Sequence, residues 1–189
     1  MRILLLDNYD SFTYNIYHYA VSLRDIHVDV VRNDRCDPHL PGTYDAVILS
    51  PGPGLPAEAG NMPEIINRWI DKRPFLGICL GHQAIAQYFG AELYNLENVY
   101  HGRESEAVIL QADSLFNGIQ SPFTVGRYHS WAVALPLPET LVPLSVTTDG
   151  TLMAFRHQTL PVRGVQFHPE SVMTPSGFKM IENWIYSCK

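Results

Sequence analysis

The feature that most constrains this chain's fold is a set of short, wholly apolar runs with helical periodicity between them. "RILLLD" (2–7), "YDAVILS" (44–50) and "PFLGIC" (74–79) are too short for helices and show no polar alternation. Such runs form strands covered on both faces, as in a parallel sheet. "HVDVVR" (27–32) reads as a further strand. In "DSFTYNIYHYAVSL", Phe12, Ile16, Tyr19, Ala20 and Leu23 share one helical face, with Asp10 or Ser11 as the cap. In "NMPEIINRWIDK", Asn61 and Glu64 stand at capping-box spacing and Pro63 suits a first turn. Ile65, Ile66, Trp69 and Ile70 give its apolar stripe. "GHQAIAQYFG" is a third helix, closed by Gly90. Strands alternating with helices predict an α/β fold: a doubly wound, mostly parallel central sheet with helices on both faces.

After about residue 92 the pattern changes. "AELYNL", "EAVILQ", "FTVGRYHS", "LVPLSVTT" and "TLMAFRH" read as short strands between Gly, Pro and Asp-Gly turns. They predict an antiparallel strand extension that continues or flanks the parallel sheet. "VRGVQF" is one more strand. "TPSGFKMIENWIYS" reads as a closing helix capped by Thr174, with Pro175 at its first position and Phe178, Ile181, Trp184 and Ile185 inward. The 189 residues hold no repeat, low-complexity tract or linker, which predicts a single domain over 1–189.

Net charge is -6, and no cluster of Lys and Arg exceeds two adjacent residues. Nucleic acid and an anionic membrane are therefore excluded as expected partners. Asp7 and Asn8 cut the first apolar run too short for a signal peptide, so it reads as the first strand of the mature protein. The cysteines, Cys36, Cys79 and Cys188, are few and odd in number, as expected of reduced thiols in a cytoplasm.

Cys79 is the thiol that needs explaining. It lies within "GICLG" (77–81), a glycine-flanked nucleophile at a strand-to-helix bend. That turn lifts the nucleophile clear of the sheet and points the amide of the next residue, Leu80, to where an oxyanion would form. The helix N-terminus also favours a thiolate there. The plain alternative is a small buried hydrophobe, which is what most lone cysteines are.

A thiol nucleophile needs a base and a group that orients the base. Of the eight histidines, His18 lies on a helix, and His27, His39 and His157 lie near strand ends or loops. His82 follows the bend too closely and reads as helix surface. "QFHPES" (166–171) offers His168 directly after a strand, and Pro169 holds it extended. In an extended chain residues two apart share a face, so Glu170 points the same way as His168 and fixes its tautomer. "SPGPG" (50–54) also follows a strand and leaves its main-chain amides unshielded. In open α/β sheets such loops gather in one crevice, where this one could supply a second oxyanion donor. "GRYHS" (126–130) and "YHGRES" (100–105) are dense in polar groups but suggest no single role. No phosphate-binding glycine loop and no C-x-x-C occurs, so a nucleotide site within the chain is not expected.

Together "SPGPG", "LGICLGHQ", "GRYHS" and "VQFHPES" resemble the class I, or triad, glutamine amidotransferases. The opening "LLLDNYDSFTYN" narrows the resemblance to the glutaminase subunits of anthranilate synthase and aminodeoxychorismate synthase. It covers nearly the whole chain and weakens between about 92 and 122. The resemblance implies a catalytic triad of Cys79, His168 and Glu170. It implies L-glutamine held by Gly52, Pro53, Gly54, Leu80, Gln83, Ser130 and Trp131, with the amides of Gly52 and Leu80 as oxyanion donors. It implies no metal and no cofactor in this chain. The partner it implies is a chorismate-utilising synthase, to which a Mg2+ requirement is confined. One departure is visible: "HGRES" replaces the family's frequent His-Gly-Lys in a loop thought to face the partner. Three rivals remain at this level. They are a stand-alone γ-glutamyl hydrolase or peptidase, a catalytically silent regulatory subunit, and a metal site built from Cys, His and Glu.

Overall fold

The computed structural model describes residues 1–97 and 99–188. Its strands are β1 (Arg2–Asp7), β2 (His27–Arg32), β3 (Ala46–Leu49), β4 (Phe75–Ile78), β5 (Leu93–Asn95) and β6 (Arg103–Ile109), then β7 (Phe123–Arg127), β8 (Trp131–Val133), β9 (Leu141–Thr147), β10 (Leu152–His157) and β11 (Val162–Val165). The helices are α1 (Thr13–Val21), α2 (Met62–Trp69), α3 (Leu80–Tyr88) and α4 (Gly177–Ser187). Nine strands form one sheet in the order β2-β1-β3-β4-β11-β10-β9-β6-β7. The first four pairings, through β4 with β11, are parallel; the remaining four are antiparallel. The antiparallel strands thus continue the parallel sheet, and among the described residues only β5 and β8 pair apart from it.

The apolar runs are buried for the reason their composition suggests. Alternate residues of β1 enter two cores: Ile3 and Leu5 pack with Ile16, Ala20, Ile181 and Trp184, whereas Leu4 and Leu6 pack with Ile65, Ile66 and Ile85. Helices α1 and α4 therefore cover one face, and α2 and α3 the other. At about 25 cal/mol per Å² of apolar surface, each such fully buried side chain contributes roughly 1.5–3 kcal/mol. No helix among the described residues is long and apolar enough to cross a membrane.

Several local expectations need correcting. Helix α1 starts at Thr13 with Phe12 in the cap position; Asp10 acts one step earlier, its carboxylate accepting from the Phe12 amide at 2.8 Å. Half-buried Tyr19 packs against the edge of the core as expected, whereas half-buried Phe12 turns to the Tyr128 and His168 rings. Asn61 occupies the cap position of α2, but its side chain donates to the Cys36 carbonyl and Glu64 bonds Arg68, so no capping box forms. Thr174 does not cap α4, which begins after Ser176. Its hydroxyl is spent elsewhere, accepting from the Gly126 amide and donating to the His168 carbonyl. Phe178 is exposed, and Met180 takes the inward place beside Ile181.

Candidate active site

Strands β1, β3, β4 and β11 run in parallel, so the segments that follow them leave the same edge of the sheet. Cys79 is the residue between β4 and α3. Its φ of 51° and ψ of -100° lie in a region that costs a non-glycine residue roughly 1–3 kcal/mol. The flanking glycines make the bend possible. A Cβ on Gly77 would stand 2.4 Å from the Gly81 carbonyl oxygen, and one on Gly81 would stand 2.6 Å from Leu49 Cβ. Strand β4, helix α3 and strand β3 meet here with no room for side chains. Leu80 opens α3, so its amide has no helical acceptor.

His168 is pinned on three sides. Its amide donates to the Gly126 carbonyl at 3.0 Å, its carbonyl accepts from the Thr174 hydroxyl at 2.7 Å, and its ring lies 4.8 Å from that of Tyr128. Its Nδ1 meets Glu170 Oε1 at 2.6 Å, with both residues buried. Nε2 has no well-aligned partner among the described residues, yet Cys79 is close enough to act on the ring. Such contacts are often loose before substrate binds. Burial opposes a charged imidazole, but the charge and contact of Cys79, with the hydrogen bond and charge of Glu170, outweigh it. His168 is held well above its ordinary pKa.

Burial pushes Cys36 up to about 11 and Cys188 up to about 12, and both cysteines are free.

A cavity of about 150 Å³ opens beside Cys79. Its wall contains all seven expected glutamine-binding residues, Gly52, Pro53, Gly54, Leu80, Gln83, Ser130 and Trp131, and adds Tyr128 and His129. Ordinary small-molecule sites begin at about 300 Å³, so this one suits a ligand of amino-acid size. A larger cleft of about 540 Å³, lined in part by Thr43, Lys72, Arg73 and Cys188, shares no residue with this wall.

The chain matches the family model for class-I glutamine amidotransferases over residues 4–188. The chain belongs to the class-I glutamine amidotransferase family. It is 43% identical to anthranilate synthase component 2 of Lactococcus lactis, covering 97% of this chain and 93% of that protein. It is 42% identical to the aminodeoxychorismate/anthranilate synthase component 2 of Bacillus subtilis, covering 97% and 95%. A solved structure from Thermoplasma acidophilum, described as a GMP synthase component, superposes with a TM-score of 0.89 at 26% identity, covering 100% of this chain and 94% of that one. The chain is accordingly an enzyme, a glutamine amidotransferase.

The amidotransferase corrects one histidine and explains another. His82 is not on the helix surface. It is fully buried, 4.7 Å from the Phe155 ring, and burial with His129 nearby lowers it to about 3. Its place three residues after a nucleophile on a sharp bend turns it into the sheet. "GRYHS" gains a role as well. Buried Arg127 donates from Nε to His129 Nε2 at 3.1 Å, pairs with Asp149 at 3.1 Å and lies 3.5 Å over the Tyr100 ring. Because His129 Nε2 accepts, its Nδ1 carries the proton and donates to the Trp131 carbonyl at 2.9 Å. Burial and Arg127 hold His129 at about 4, so it stays neutral.

One metal-type grouping occurs among the described residues. It joins Asp10, rather than Cys79, to His168 and Glu170, with one donor atom of each within 4.8 Å. The short bond between Nδ1 and Oε1 already occupies two of those groups with a proton.

Gln166 escaped the sequence reading. It is fully buried and its Nε2 donates to Cys79 Sγ at 3.6 Å. The signal was present: Gln166, His168 and Glu170 are spaced by two, which in an extended segment puts them on one face.

Proposed function

We propose that this amidotransferase hydrolyses L-glutamine through a thioester on Cys79 and passes the ammonia to a chorismate-utilising synthase subunit. The thiolate of Cys79 attacks the side-chain amide carbon of glutamine. The Gly52 and Leu80 amides receive the developing oxyanion; losing one such donor typically costs ~10²–10³ in rate. His168, oriented by Glu170, gives its proton to the departing nitrogen, and ammonia leaves. Water then gives a proton back to His168 and attacks the thioester, releasing glutamate and the Cys79 sulfur. Gly52, Pro53, Gly54, Gln83, Ser130 and Trp131 hold the amino-acid end of the substrate. The chain works as one domain in the cytoplasm and supplies no cofactor or metal of its own; Mg2+ belongs to the synthase.

The observation that carries this reading is the buried His168–Glu170 pair beside a cysteine held at positive φ. The names of the relatives, component 2 of anthranilate and aminodeoxychorismate synthases, support the choice of partner. The test is Cys79→Ser, assayed in complex with each of the two synthases. Glutamine-dependent product should vanish while product from free ammonia persists. Equal loss of both would make Cys79 structural. Free glutaminase activity that is high and unmoved by either synthase would point instead to a stand-alone hydrolase.

A further inference from the structure

Gln83 and Gln166 form a relay whose direction is set by a main-chain group. Gln83 Nε2 lies 2.9 Å from the Trp131 carbonyl and 3.1 Å from Gln166 Oε1. The carbonyl can only accept, so the Gln83 amide must present its nitrogen there. That nitrogen's second proton then requires an acceptor, which fixes Gln166 with its oxygen toward Gln83. The Gln166 nitrogen is left facing Cys79 Sγ, at 3.6 Å. The reverse orientation would set donor against donor at Gln83.

We infer that Gln166 is a fourth catalytic side chain, which donates a hydrogen bond to the Cys79 thiolate and aims the sulfur. The inference rests on Cys79 being the nucleophile. The setting favours it. Gln166 is wholly buried, and its amide is anchored to the Met153 carbonyl at 2.8 Å. It approaches the sulfur from the β11 end of the sheet, as His168 does two residues later. A donor kept from water in this way interacts strongly with a charged acceptor. The relay also joins the sulfur to Gln83 and Trp131, both in the wall of the cavity.

The test compares wild type with Gln166→Met and Gln166→Glu. Methionine keeps the length of the side chain and loses the donor. Glutamate keeps an acceptor for Gln83 and sets a carboxylate against the sulfur. Iodoacetamide labelling at pH 7 is followed separately at Cys79 and at Cys36 by peptide mass spectrometry, and glutaminase kcat is measured in the synthase complex. Labelling of Cys79 should slow ~10-fold or more in Gln166→Met, and further in Gln166→Glu, with Cys36 unchanged and kcat falling in step. A merely loosened fold would label both cysteines faster. Labelling of Cys79 at or above the wild-type rate in Gln166→Met overturns the inference. Glutaminase that survives Cys79→Ser instead removes the nucleophile reading itself, and the inference with it.

Discussion

Glu170 Oε1 stands 2.6 Å from His168 Nδ1, and neither side chain keeps meaningful access to solvent. The pair leaves the imidazole one orientation, with Nε2 turned away from the carboxylate. Glu170→Gln keeps the shape and removes the charge. Glutamine hydrolysis should fall ~10²–10⁴-fold in kcat, by analogy with other acid-base groups whose orienter is lost. KM should move little, and ammonia-dependent synthesis by the complex should persist. A wild-type kcat would remove Glu170 from the mechanism.

The histidines should titrate apart. His168 is raised in the folded protein, chiefly by Cys79 and then Glu170 against the opposing effect of burial. An unfolded histidine titrates near 6.5. The stability that His168 contributes is therefore complete below about 6.5 and is lost as pH rises through its higher folded value. His129 has the opposite sign. Its folded value of about 4 means that it costs stability as pH falls from the unfolded value toward that point. Imidazole ¹⁵N spectra across the pH range should show His168 still protonated at neutral pH and His129 neutral at pH 5. A His168 ring that is neutral at pH 6 would contradict the ion-pair picture.

His82 gives an acid-side prediction. It is fully buried at about 3, and both ring nitrogens lack partners among the described residues. An unfolded chain binds a proton there as pH drops below about 6.5, and the folded chain does not. His82→Leu is close in volume and removes that burden. Stability at pH 7.5 should change by less than about 1.5 kcal/mol, as volume-conserving core swaps do. The loss of stability between pH 7.5 and 5 should be smaller than in wild type. Urea midpoints at the two pH values decide it, and an unchanged difference would mean that His82 does not stay neutral.

The difference between what the sequence disclosed and what it hid lies in periodicity. The apolar centre of β1 (Ile3 to Leu6), with β3 and β4, can be read without a structure, because burial on both faces leaves little that is polar to tolerate. Cys79, His168 and Glu170 stand in local patterns whose geometry follows from the backbone: a glycine-flanked bend and an extended x-Pro step. The spacing of Gln166 gives its face but not its partner, and for Arg127 neither is legible. Their partners, Cys79 and Asp149, are distant in sequence, and only the sheet order brings them together. The same cause moved the start of α4. Thr174 is a good cap by residue type, but the tertiary demand of the His168 carbonyl and the Gly126 amide took its hydroxyl. His82 failed because helical position near a bend says little about which side the sheet lies on.

The bend itself is testable through packing. Gly77→Ala places a methyl group 2.4 Å from the Gly81 carbonyl oxygen and 2.7 Å from the His82 nitrogen, both main-chain atoms at the start of α3. Neither can turn aside as a flexible side chain would. The cost should reach or exceed the roughly 1–3 kcal/mol of ordinary overpacking, and α3 should shift away from β4 and carry Cys79 with it. Chemical denaturation and glutaminase assays should fall together. Retained stability and activity would show that the close approach of helix to strand is not needed.

Arg127 offers a way to separate binding from chemistry. Its Nε fills the acceptor position of His129, which leaves Nδ1–H to hold the Trp131 carbonyl; Gln83 donates to the same oxygen. Trp131 and Ser130 line the cavity, so on the proposed function the position of this main-chain segment should govern how the amino-acid end of glutamine is received. Arg127→Met keeps the buried stem and removes the guanidinium. The Trp131 carbonyl alone then holds the His129 tautomer, against any donor that reaches the vacated Nε2, and it loses one of its two side-chain donors in the part of the population that switches. KM for glutamine should rise about tenfold, the worth of roughly 1.4 kcal/mol or one hydrogen bond. The kcat should change less, because Cys79, His168 and Glu170 are untouched. The ¹⁵N shifts of His129 should report mixed tautomers in the variant. An unaltered tautomer together with an unaltered KM would show that the Arg127–His129 contact serves packing alone, whereas a fall in kcat with KM unchanged would place its effect on the reacting groups.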